Sequence, residues 1–100
     1  MNIQVTKPAL TWFREQFSLN GENEYIRFFA RYGGCASIQN GFSLGINQDT
    51  PATIGALEEV DGIKFFVEEE DLWFFKDYNL KVKYSRKTDE IEFIYEEPTV

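Results

Sequence analysis

One hundred residues, 43% of them hydrophobic and 17% aromatic, predict a single domain, 1–100, with a core that needs no disulfide, since a chain of this size hides roughly 65% of its unfolded surface. Seventeen acids against ten bases give a net charge of −7, which repels phosphate backbones and argues against nucleic acid as a partner. No histidine and one cysteine, Cys35, exclude imidazole bases, Ser-His-Asp and Cys-His catalysis, an intrachain disulfide and a four-cysteine metal site.

A short strand is expected over Ile3–Val5. Thr6 then caps a helix whose first turn accepts Pro8, because the N–H that proline lacks has no partner there. Leu10, Phe13 and Phe17 recur at helical spacing, so the helix buries one stripe, and Gly21 is placed to end it in a left-handed C-cap. Tyr25–Tyr32 reads as a strand. Tyr25, Arg27, Phe29 and Arg31 share one face, and Ile26, Phe28, Ala30 and Tyr32 share the other. Phe42, Leu44 and Ile46 alternate next, followed by a loop at 48–53. Period 2 returns at Ile63, Phe65 and Val67, at Leu80, Val82 and Tyr84, and at Ile91, Phe93 and Tyr95. Alternation of this kind predicts half-buried antiparallel strands. Residues 69–75 carry Leu72, Trp73 and Phe75 on one short helical turn. The sum is an α+β domain, mostly antiparallel twisted sheet or small barrel, with one N-terminal helix. The aromatics fall at strand and helix periods, which assigns most of them to the core.

The charge is uneven. Residues 1–50 are neutral overall, and residues 51–100 hold thirteen acids and six bases. These acids gather at Glu58–Asp61, Glu68–Asp71 and Asp89–Glu97. They read as solvated faces or as an acidic docking or cation-binding surface. No apolar run approaches the roughly 20 residues needed to cross a bilayer, and the N-terminus lacks the pattern of a signal peptide. A cytoplasmic protein with no membrane role is expected.

Gly33 and Gly34 before Cys35 free the backbone to turn sharply. A thiol leaving such a turn, with Arg31 nearby, would favour the thiolate; as a residue type, a lone cysteine also serves as a small buried hydrophobe. With Arg27 and the strand residues Phe42-Ser-Leu44, the Gly33-Gly34-Cys35 segment resembles the first cysteine segment of the HesB/IscA-like A-type iron–sulfur carriers. Ile3-x-Val-Thr, Ala9 and Gly62-Ile-Lys-Phe-Phe-Val67 extend the likeness over about residues 1–85. It is greatest to the short HesB-like branch, also called YneR-like. The resemblance implies a HesB-like fold, a role in iron–sulfur cluster biosynthesis or iron handling, and iron or a cluster held through Cys35, with Arg31, Gly33 and Gly34 as its supporting loop. The family's C-terminal Cys-Gly-Cys is replaced by Phe93-Ile-Tyr-Glu-Glu-Pro-Thr-Val100, so Cys35 alone carries over, and clusters are generally held by four ligands.

Three readings follow. The first is an iron–sulfur accessory protein using Cys35 with help from the C-terminal acids. The second is a metal-free interaction or regulatory module on the same fold. It would work through its acidic surface or the Arg27/Arg31 strand face, where the arginines either pair with glutamates or form a small anion site. The third is a thiol-dependent enzyme, disfavoured because no histidine can serve as base. A non-enzyme with a protein partner, or a homodimer, is expected.

Overall fold

Ile3–Val5 forms β1 and Lys7–Gln16 forms α1. These are followed by β2 (Glu24–Tyr32), β3 (Phe42–Gln48), β4 (Ile54–Val60) and β5 (Ile63–Glu68). A 3₁₀ turn (Glu69–Asp71) leads into α2 (Leu72–Phe75), and β6 (Asn79–Ser85) and β7 (Glu90–Glu96) complete the order. The computed structural model describes residues 1–32, 42–75 and 78–97.

The helix begins as its residues dictate. Thr6 Oγ1 accepts the Ala9 N–H at 3.4 Å, Pro8 sits in the first turn, and Ala9, Leu10 and Phe13 face inward. It ends earlier than expected. Phe17 is the C-cap and Ser18 takes the left-handed conformation at φ 53°. Gly21, at φ 79°, instead belongs to the turn before β2, packed against Gly62 at φ 81°. Either residue with a Cβ would collide with backbone there: with the Asp61 carbonyl for Gly21, and with the Gly21 carbonyl for Gly62. The Glu24 carboxylate closes this turn by accepting the N–H groups of Asn20 and Gly21, both at 2.8 Å.

The strands form two open sheets, ordered β1-β6-β7 and β3-β2-β5-β4. Both are mixed: β1 runs parallel to β6, and β2 parallel to β5. Antiparallel pairs still predominate, β2 with β3, β4 with β5 and β6 with β7; the parallel pairs depart from the expectation, because period 2 reports burial of one face and not strand direction. The barrel alternative is corrected, since the described strands form no closed barrel. β4 was missed by the sequence reading. A bulge between Ile54 and Ala56 breaks its alternation.

The core lies between one face of the four-stranded sheet and a layer made of α1 and the other sheet. Phe13 packs edge-on against Phe65 at 5.1 Å and against Phe28 at 6.0 Å. Phe28 continues to Phe93 at 5.9 Å, and Phe74 and Phe75 both meet Tyr95 at 6.4 Å. Such aromatic pairs add about 0.5–1.5 kcal/mol each beyond their buried area.

Candidate interaction surface

The outer face of the four-stranded sheet carries the polar chemistry. Strand alternation sends Ile26 and Phe28 into the core and leaves Arg27 and Phe29 outside. On β5, Phe65 points inward while Phe66 points outward, where it is fully covered and meets Tyr25 edge-on at 6.0 Å. Opposite pairing places Arg27, Phe66 and Leu57 in one row, and Tyr25, Lys64 and Glu59 in the next. Two cations lie over aromatic rings: Arg27 is 5.5 Å from the Phe29 ring centre, and Lys64 is 5.0 Å from that of Tyr25. Phe29 in turn lies across Gly45 of β3, close enough that a side chain there would displace it.

Arg27 ties three segments together. Its guanidinium donates to Asp71 Oδ2 at 2.8 Å and to Glu70 Oε1 at 3.1 Å, and Asp49 Oδ2 lies 3.7 Å away. Partial burial works against the arginine's charge. The hydrogen bond and charge of Asp71, joined by Glu68 and Glu70, more than offset this, so the Arg27 pKa is raised above its ordinary value. Glu68 itself is buried, accepting the Ala52 and Thr53 N–H groups at 2.8 and 2.9 Å, and so fastens the loop before β4 to the end of β5.

Arginine–carboxylate pairing was anticipated, but the partners come from the 3₁₀ turn and the loop after β3, not from a neighbouring strand. With three carboxylates around it, Arg27 is not an anion site. Arg31 shares its face, is exposed, and forms no ion pair among the described residues. Gly33, Gly34 and Cys35 lie outside the described residues. Among the described residues, no group of three or more acidic side chains is arranged to hold a metal ion. No described helix is long and apolar enough to cross a membrane. Glu68 and Asp71 belong to an acidic cluster visible in the sequence, but they are buried and not solvated, because their positions depend on the reversal of the chain after β5. The alternation of Phe65 and Phe66 was the available sign that this strand is covered on both faces.

No family model matches the chain. It is 46% identical over 96 residues to the Bacillus subtilis (strain 168) protein named pyruvate dehydrogenase inhibitor, covering 96% of this chain and 100% of that relative. It is also 34% identical to an uncharacterised protein of Staphylococcus aureus (strain USA300) and 33% identical to one of Staphylococcus saprophyticus. Each match spans 95 residues, 93% of this chain and 97% of the relative. These findings overturn the HesB/IscA-like assignment and with it the iron–sulfur biosynthesis role. The full-length relative is named for inhibiting an enzyme, not for carrying a cluster. The physical reason is consistent: one thiol per chain supplies one of the four ligands a cluster generally takes. The name describes an inhibitor and not a catalyst, in agreement with the non-enzyme expectation.

Proposed function

We infer the function of this chain from its kinship: it belongs to the family that includes the Bacillus subtilis protein named pyruvate dehydrogenase inhibitor. It is a metal-independent regulatory module that acts in the cytoplasm by binding a protein, and its target is pyruvate dehydrogenase. The observation that carries this reading is the match at 46% identity along the whole length of the relative. Residues 1–100 act as one domain in this role.

The chemistry of the chain supports it. An inhibitor of this kind needs a surface and no reacting group, and the chain has neither histidine nor paired cysteines. The outer sheet face offers such a surface, with aromatic rings held in place by Arg27 and Lys64 and acids at its edges. The test is direct binding: the purified chain, immobilised, is exposed to purified pyruvate dehydrogenase complex in the presence of a chelator. Saturable binding is expected, and absence of binding over the concentration range of the enzyme in the cell contradicts the reading.

A further inference from the structure

We propose that β4 and the helical turn packed on it form the docking face for a basic, aliphatic segment of a protein partner. This rests on the partner-binding reading above and names the surface and the chemistry it selects.

Among the described residues, three large apolar side chains are strongly exposed: Ile54 at 44%, Leu57 at 49% and Trp73 at 50%. Single exposed apolar residues are ordinary. Here all three fall within residues 54–73, on β4 and on the helical turn that packs against it. Leu72 and Glu69 pack against the backbone at Gly55, which seats the start of α2 on the bulge of β4. Leu57 stands on the outer face beside Phe66.

The same stretch, 54–73, contains seven carboxylates and one lysine. Arg27 engages Glu70 and Asp71 from outside it, and Lys64 lies near Glu59 at 3.8 Å. A negative excess therefore surrounds the apolar anchors. Beside Ile54, a hollow of about 400 Å³ opens between Ala52 and Thr53 on one side and Glu68, Glu69 and Glu70 on the other. The Glu68 carboxylate is occupied by backbone N–H groups and Glu70 already accepts from Arg27, which leaves Glu69, among the described residues lining the hollow, to receive a cationic side chain. A second copy of this chain is a poor occupant. A twofold contact through this face would set acids against the same acids.

The test uses the full chain, isotopically labelled, titrated with a short synthetic peptide alternating lysine and leucine and with its glutamate–leucine counterpart. Resonance shifts are expected at 54–60 and 69–73 with the lysine peptide only. Its affinity should fall about tenfold in Leu57→Ser and in Glu59→Lys/Glu69→Lys. Glu90→Lys/Glu92→Lys, which changes charge equally on β7, should leave it unchanged. The exposed positions leave the core intact, and an unchanged spectrum elsewhere verifies folding. Equal loss from the β7 reversal, equal binding of the acidic peptide, or a dimer whose contacts map to this face would overturn the proposal. The two readings fail separately. If the chain binds pyruvate dehydrogenase and the Leu57 and Glu59/Glu69 variants bind it as wild type does, the surface is wrong and the regulatory reading stands. If wild type ignores the enzyme while the peptide maps to this face, the regulatory reading is wrong and the surface stands.

Discussion

Arg27 is the residue on which the outer face depends. It sits between Asp71, Glu70 and Asp49, and two of the nearby carboxylates, Asp71 and Glu68, are buried. Removing the cation leaves Asp71 without its partner and Glu68 without a compensating charge. Because the arginine side chain keeps 21% exposure, the expected cost is below that of a fully buried pair, about 1–3 kcal/mol. Urea unfolding of Arg27→Gln measures it, and unchanged stability would show that the pairing is ornamental. Tyr95 makes a second residue-level prediction. Burial raises its phenol pKa above the usual 10.0, so the folded state holds the neutral form more firmly than the unfolded chain does. That contribution is fully present below about pH 10, the ordinary tyrosine value, and is lost as pH rises through the folded value. Stability should therefore fall in strong alkali, and Tyr95→Phe should lose less over the same window.

The elements carry a different set of constraints. Gly21 and Gly62 face each other in left-handed conformations where the turn before β2 meets the turn before β5. Gly62→Ala adds both a strained φ and a collision with the Gly21 carbonyl, and about 3 kcal/mol or more of destabilisation is expected. A thermal transition within a few degrees of wild type would contradict that packing. Local signals in the sequence were sufficient for some elements. Thr6 and Pro8 mark the start of α1, and the alternation over Tyr25–Arg31 separates the two faces of β2 correctly. The turn at 69–75 was legible from its apolar spacing. The end of α1 was not, because a serine accepts the left-handed position that glycine usually takes. β4 was hidden by its bulge and by an outward-facing Leu57 where a polar residue would normally stand. The parallel pairings of β1 with β6 and of β2 with β5 depend on contacts far apart in sequence, which no local period encodes. The same distance hid the partners of Arg27.

At the scale of the whole molecule, the charge division and the kinship point the same way. The half of the chain that holds the entire net charge also holds the three strongly exposed apolar side chains seen among the described residues. The Gly33-Gly34-Cys35 triplet points toward metal chemistry because a thiol after two glycines is a conspicuous local signal. A surface made from two strands and a turn leaves no such motif. The full-length likeness to a pyruvate dehydrogenase inhibitor therefore had no counterpart in any single segment. The measurement that tests the account most directly is the rate of pyruvate oxidation by purified pyruvate dehydrogenase complex, titrated with chelator-treated wild-type chain and with Cys35→Ala. Both proteins should lower the rate, saturably and to the same extent. A rate that does not respond to either, or that falls only when iron is restored to the wild-type chain, would contradict it.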